Sequence, residues 1–310
     1  MNTVIRRLIS PLVICSAGIF YLALPAVGQV SRLSDMSTAA MLDCKGLPCV
    51  DVTTSEGKHL RMGLDTGNQL SFIDEAVAGA MGLKQEPYVN SAGKEVPGVK
   101  LATLPRVILG SGSLGDVRVA VIDLARPIKA GTFPAVDGTI AYGAFKKRVM
   151  QLDYAKKVFS YSGVRDAANP CPVAQCGKIN LITFGQHGPP IVVASGFTLN
   201  GKPLNVQIDT MFAGTMLVFP TAVERLGLKS QSASAKTRHF PFTDEGVDMF
   251  EANGVKEGFA GRTLLPSATV YFAGPKVHLP DGLFDGTVGA ELFAGHRLTM
   301  DFNGMNVWVD

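Results

Sequence analysis

Two aspartates carry the most specific chemistry in this sequence. Asp65-Thr66-Gly67 lies in the run MGLDTGNQLSFI, and Asp209-Thr210-Met211 lies in VQIDTMFAGTMLVF. In each, an apolar strand-like stretch delivers an Asp-Thr pair and then resumes as a second apolar stretch. Two carboxylates held in different protonation states suit acid–base hydrolysis: one draws a proton from water while the other gives a proton to the bond being cut. Competing chemistries lack comparable support. The five His residues are scattered without the HExxH spacing of a zinc hydrolase, and there is no G-x-S-x-G elbow for a serine hydrolase. Gly110-Ser111-Gly112-Ser113-Leu114-Gly115 fits a dinucleotide fingerprint, which requires a helix next. DVRVAVIDL follows instead, alternating with a period of two, so the glycines read as a hairpin turn.

The elements that must position the aspartates correspond between the two halves. After Asp65 comes SFIDEAVAGAMGLK and after Asp209 comes LVFPTAVERLGLK, each a strand, a short helix and Gly-Leu-Lys. Asp74 and Thr221 are placed as helix N-caps, Gly82 and Gly227 as helix stops. Further on, DGTIAYGAFKKRVMQLDY from Asp137 matches DGTVGAELFAGHRLTMDF from Asp285. Each copy then reaches another Asp at the same distance, Asp153 or Asp301, expected to face solvent or cap a turn. Each ends in a β-rich tail, the second with the lone Trp308 in its core. Hairpins are expected from RVILG and DVRVAVIDL around SGSLG, and from SATVYFAG and KVHLP around a short turn. Correspondence over so long a period predicts duplicated lobes, at 29–163 and 179–310, joined by the linker VRDAANPCPVAQCGK at 164–178.

With 310 residues, 46% hydrophobic and 18% charged, the chain can bury one large core or two smaller ones. Its 34 Gly and 18 Pro suit a turn-rich β protein. The net charge of +3 has no basic cluster behind it, so nucleic acid is not an expected partner. The N-terminus reads MNTVIRR, then the apolar LISPLVICSAGIFYLAL, then the small-x-small site Ala26-Val27-Gly28. This is the pattern of a signal peptide over 1–28, with an uncleaved membrane anchor as the alternative. The expected location is the periplasm or the outside of the cell, with a membrane partner only if that segment is retained. Cys44, Cys49, Cys171 and Cys176 form two C-x4-C pairs, which argue for disulfides in an exported chain, 44–49 and 171–176 being the simplest pairing. A zinc site would need ligands converging from both halves, and no metal is expected.

The order of DTG, a short helix with GLK, YVNSAGK, a hairpin and DGTIAYG resembles the retropepsin-like aspartyl proteases. Two fused copies resemble the bilobal, pepsin-like arrangement found in bacterial exported proteins, and the resemblance covers most of 45–310. It implies a mostly β, bilobal acid-protease-like fold: two related closed β-barrel lobes with short helices and a cleft between them. By resemblance, Asp65 and Asp209 are a catalytic pair sharing a proton and binding a water. Thr66 and Thr210 grip the opposite loop, and Gly67 permits close backbone approach. A flap from Tyr88 to Gly98, with Ser91, Ala92 and Gly93 at or near its tip, closes over an extended peptide. The resemblance implies no cofactor, a peptide or protein substrate and a monomer. Met211 stands where the family has Gly, and Ile140-Ala141 departs from the apolar-Gly element kept as Val288-Gly289. These departures keep a second expectation open, a non-catalytic peptide- or partner-binding protein. The longer, more aromatic RHFPFTDEGVDMFEANG is expected to line or cover the second half of the cleft.

Overall fold

A computed structural model of the chain describes residues 36–310 except 91, 132, 164–174, 184–188, 229–235, 241–246 and 275–282. The proposed signal segment, most of the expected linker, Cys171, Ser91 and the stretch KVHLP lie outside the described residues. The strands of the first half are β1 (Ser37–Ala40), β2 (Leu42–Cys44), β3 (Leu47–Thr53), β4 (His59–Asp65), β5 (Ser71–Asp74), β6 (Glu86–Val89), β7 (Glu95–Leu109), β8 (Gly112–Ile122), β9 (Gly138–Ala141), β10 (Val149–Asp153) and β11 (Val158–Tyr161). Those of the second half are β12 (Gly177–Thr183), β13 (Pro190–Leu199), β14 (Lys202–Ile208), β15 (Met216–Val218), β16 (Lys236–Phe240), β17 (Val247–Phe259), β18 (Arg262–Ala273), β19 (Gly286–Val288), β20 (Arg297–Asp301) and β21 (Asn306–Val309). Among the described residues there are also three short α-helices, α1 (Glu75–Ala80), α2 (Ala125–Lys129) and α3 (Pro220–Arg225), and short 3-10 helices at Tyr142–Phe145 and Ala290–Phe293.

The pairings give each half the same plan. In the first, β3-β4-β9-β5-β8-β7 run side by side, and a β3–β7 pairing closes them into a ring. In the second, β13-β14-β19-β15-β18-β17 do the same, closed by β13–β17. Closure removes exposed edges and turns one face of every strand inward. The strand that ends at each aspartate, β4 or β14, pairs in parallel with β9 or β19. Parallel neighbours buried on both faces require the near-continuous apolar runs seen in MGL and VQI. Beyond the rings, β10 pairs with β20, and β1, β11, β21 and β12 extend this seam. It stacks Met150, Leu152, Leu298, Met300 and Val307 into the core, and Trp308 is buried beside them.

Local signals explain the termini. Asp74 caps α1 as expected, its Oδ1 accepting from the backbone of Ala76 and Val77. Thr221 does not cap α3: Phe219 occupies that position with no side-chain bond, and Pro220 opens the helix. Proline has no N–H to satisfy and a φ already suited to a first turn, so it displaced the start by two residues. Gly82 and Gly227 end the two helices with φ of +64° each. Asp153 and Asp301 cap turns, accepting from the backbone of Lys156 and from those of Asn303 and Gly304.

The turn at Gly110-Ser111 joins β7 to β8, so the glycine-rich run is a hairpin. Gly110 is needed because a side chain there would run into the backbone carbonyl of Thr38 on β1. In the second half, SATVYFA lies in β18, which pairs with β17 through a turn at Ala260-Gly261, while its expected partner KVHLP lies outside the described residues. Ala260 holds a φ of +48°. A left-handed turn carried by a non-glycine residue leaves a weak mark in a sequence.

Candidate active site

β4 and β14 end on Asp65 and Ile208, so each Asp-Thr pair leaves a parallel ladder where the chain must turn sharply. The two turns interlock through their threonines. Thr66 Oγ1 donates to Ile208 O at 2.8 Å and accepts from Thr210 N at 3.1 Å. Thr210 Oγ1 donates to Leu64 O and accepts from Thr66 N at 3.2 Å. Both threonines have no solvent exposure. Each hydroxyl therefore joins two backbone groups of the opposite half that water cannot reach, and leaving them unmatched would be expensive.

Gly67 lies between the two carboxyl groups. Its N–H donates to Asp65 Oδ1 at 2.9 Å, while a Cβ on its α-carbon would fall 2.7 Å from Asp209 Oδ1. Only glycine admits the second carboxyl so close. Asp65 also accepts from Asn68 twice, N to Oδ1 at 3.1 Å and Nδ2 to Oδ2 at 2.9 Å. Asp209 Oδ1 accepts from Met211 N at 2.9 Å. Burial raises the Asp65 pKa most, and the charge of Asp209 raises it further, against the hydrogen bonds from Asn68 and Gly67. Burial likewise raises Asp209, opposed by the backbone of Met211 and Phe212. For both carboxyls, burial thus favours the protonated form.

The two departures from the expected pattern are both accommodated. Met211 supplies the backbone N–H that glycine would, and its side chain crosses to the other half, where Sδ and Cε would lie 2.8 and 2.9 Å from a Cβ on Gly63. Gln207, which stands before Asp209 as Gly63 stands before Asp65, reaches back to donate from Nε2 to Gly67 O at 3.0 Å. The second half thus carries both large side chains, and the first half carries the small residues that receive them. Ala141 is fully buried, and its N–H donates to the Ser71 hydroxyl at 2.9 Å. Its counterpart Gly289 is hemmed in by the carbonyls of Phe212 and Gly214 and has no room for a methyl.

This packing carries a test. Met211→Gly is expected to cost about 1–3 kcal/mol by leaving a void over Gly63, and Gly63→Ala to cost a similar amount through collision with the thioether. Together they should cost less than their sum by more than about 0.5 kcal/mol in a denaturant double-mutant cycle. Strict additivity would mean that the two residues do not act on each other.

The expected flap is a hairpin, β6 with β7, tipped by residues 90–94. Asn90 Oδ1 accepts from the backbone of Ala92 and Lys94, both at 3.0 Å, and Gly93 takes a φ of +72°. Ala92, Gly93, Lys94 and Glu95 are exposed, so this arm stands away from the body. Tyr88 at its base faces a cavity of about 500 Å³ whose other walls include Gln69, Ser71, Leu101, Leu114 and Gly143. Gln69 and Ser71 directly follow the Asp65 loop, though neither Asp65 nor Asp209 lines the cavity. The second-half counterpart is the β16–β17 hairpin, whose tip lies outside the described residues.

Residues 50–141 match a family model described as aspartyl protease. This segment resembles the aspartyl proteases. No curated protein sequence matches the chain. The aspartic proteinase from Irpex lacteus is similar in structure, with a TM-score of 0.50 and 9% identity over 88% of this chain and 96% of that one. Another solved structure, edgp, is similar at a TM-score of 0.48 and 8% identity, over 89% of this chain and 94% of that one. At such identity the likeness to the Irpex lacteus structure speaks for the fold alone: mostly β, in the aspartic proteinase arrangement. The matched segment contains Asp65, Thr66, Gly67 and the hairpin with Tyr88, Ala92 and Gly93, and it stops at Ala141. Asp209 and Thr210 meet it from outside.

Three contributors were not singled out from sequence: Asn68, Gln207 and the buried Glu257. Asn68, a small polar residue directly after the Asp-Thr-Gly, is a local partner of the Asp65 carboxyl that its position in the sequence could have revealed. Cys44 and Cys49 form a disulfide across the β2–β3 turn. Cys176 is also disulfide-bonded.

Proposed function

We propose that this chain is an aspartic endopeptidase in which Asp65 and Asp209 share one proton and activate a water. The observation that carries this reading is Gly67, whose N–H binds one carboxyl while its bare α-carbon faces the other. The ionised carboxyl takes a proton from water as the water oxygen attacks the peptide carbonyl carbon. The protonated carboxyl gives its proton to the carbonyl oxygen. The resulting gem-diol collapses as a proton passes to the leaving nitrogen and the C–N bond breaks. Substrate lies extended along the cleft, held by the arm from Tyr88 to Gly98. The sequence pattern over 1–28 and the Cys44–Cys49 bridge support export to an oxidising compartment, the periplasm or the exterior, where the chain acts as a monomer.

The alternative, a binding protein without turnover, drew its motive from Met211 and Ala141. That motive weakens because Met211 keeps its hydrogen bond to Asp209 and Ala141 keeps one to the Ser71 hydroxyl.

The test is cleavage of a mixed peptide library by the mature protein from pH 3 to 9. Activity should be greatest in the acid range and fall above about pH 7, the value to which burial and the Asp209 charge push Asp65. The sign follows from the raised pKa, since the required proton is present below it and lost above it. No cleavage anywhere in this range, or activity that keeps rising through pH 8, would remove the reading.

A further inference from the structure

Glu257 lies in β17 with no solvent exposure. Its Oε1 is 2.9 Å from the Thr215 hydroxyl, and its Oε2 has no hydrogen-bond partner among the described residues. The Thr215 hydroxyl is also 2.7 Å from the backbone carbonyl of Thr269. A hydroxyl has one proton and that carbonyl can only accept, so the Thr215 proton goes to Thr269. The contact with Glu257 then needs a proton from the carboxyl itself. Geometry alone thus calls for the neutral acid. Burial pushes Glu257 up to about 8, and the neighbouring charge of Glu291 adds to this.

The fold does not require an acid here. Val52 pairs with Leu60 and Leu109, and Phe197 pairs with Leu204 and Phe259. Leu60 precedes Asp65 by the same interval as Leu204 precedes Asp209. The first-half equivalent of Glu257 is therefore Val107, wholly buried and apolar. The hydroxyls also correspond, Ser71 following Asp65 as Thr215 follows Asp209. Ser71 takes the Ala141 N–H directly on its oxygen. Thr215 instead offers its carbonyl to Gly289 N at 2.9 Å and turns its hydroxyl to Glu257. Gly289 packs on Phe212 O and Gly214 O, the backbone of the Asp209 loop.

We propose that Glu257 is a positioning residue for Asp209: as a neutral acid it donates to Thr215 and anchors the loop that carries the second carboxyl, and on ionising it releases that anchor. The role rests on the reading of Asp209 as catalytic, whereas the anchor itself does not. Few other charges face it. β13 has no charged residue, β18 has only Arg262, directed to Val309 O at 3.1 Å, the loop has Asp209, and the short helix at 290–293 has Glu291.

The experiment compares wild type, Glu257→Gln and Glu257→Val by thermal melting and peptide cleavage from pH 4 to 9. Glutamine donates to Thr215 at every pH, and valine is the residue of the equivalent position. Because the folded pKa is raised, the stabilisation is present near pH 4 and is lost as pH rises to about 8. The wild-type melting temperature should therefore fall relative to Glu257→Gln by at least about 4 °C across that window and level off above it. Glu257→Val should lower kcat about tenfold with KM little changed, and Glu257→Gln should recover the loss. Melting curves of wild type and Glu257→Gln that stay parallel from pH 4 to 9 overturn the neutral-acid anchor. A wild-type kcat in Glu257→Val overturns the positioning role. If no form cleaves peptide, the peptidase reading fails separately and the melting comparison still decides the anchor. If the valine variant does not fold, the wild type and Glu257→Gln comparison decides it alone.

Discussion

Asp209→Asn should abolish peptide cleavage, with kcat lowered by at least about 10³-fold, while the protein becomes more stable at neutral pH. The asparagine keeps the shape of the side chain and can still accept from Met211 N through its oxygen. Its amide cannot hold or release the proton that the proposed mechanism requires of the second carboxyl. Loss of a positioned acid or base typically costs about 10²- to 10⁴-fold, and the pair acts as a unit, so the upper part of that range applies. The stability gain follows from linkage. Burial raises Asp209 from its ordinary value of 3.8 to about 6. Stability from the protonated form is present below the first value and lost as pH rises through the second. An amide does not titrate, so the variant should melt at a higher temperature than wild type at pH 7 and near the same temperature at pH 3. Asp65→Asn should be equally inactive, although it must also adjust to the Asn68 amide, which can turn to present its oxygen. Retained cleavage in either variant would remove the paired-carboxyl mechanism. A loss of activity accompanied by unfolding would not support it, which is why melting is read alongside.

Thr210→Val should be the most damaging substitution near the site that leaves both aspartates intact. Valine fills the same volume but leaves Thr66 N and Leu64 O unmatched where no water enters. Each stranded group costs about 1–3 kcal/mol, so a loss of about 3 kcal/mol and a fall in melting temperature of roughly 5–10 °C are expected. Thr210→Ser keeps the hydroxyl and should recover most of both. The activity of Thr210→Val should fall even where it is folded, because the two loops hold each other in register through this contact. A valine variant with wild-type melting and turnover would mean that the interlock contributes to neither.

The Asp-Thr pairs, the helix stops, the first hairpin and the arm at 86–100 were legible because each depends on a few neighbouring residues of restrictive chemistry. Asp74 could be read as a cap because one side chain supplies the bonds. Thr221 was misread because Pro220 outweighs it in starting a helix. The β17–β18 hairpin was not foreseen because its turn relies on Ala260 in a conformation that residues other than glycine seldom adopt. The pairing of Met211 with Gly63 and of Gln207 with Gly67 O could not be read at all, since each joins positions far apart in the chain whose contact exists only after the halves meet. Met211 looked like damage to a motif for that reason. Glu257 was equally silent. In EANGVKEGFAG it resembles any surface glutamate of an alternating strand, and only the register against β13 and β18 turns it inward.

The β10–β20 seam has a bearing on how the protein behaves at low concentration. Where two separate subunits each lend one acidic side chain, dilution dissolves the assembly and specific activity collapses. Here both contributors sit on one polypeptide, stitched by backbone bonds beneath the cleft. Turnover per molecule should therefore stay constant down to nanomolar protein, and no excess of a partner fragment should be able to compete one half away.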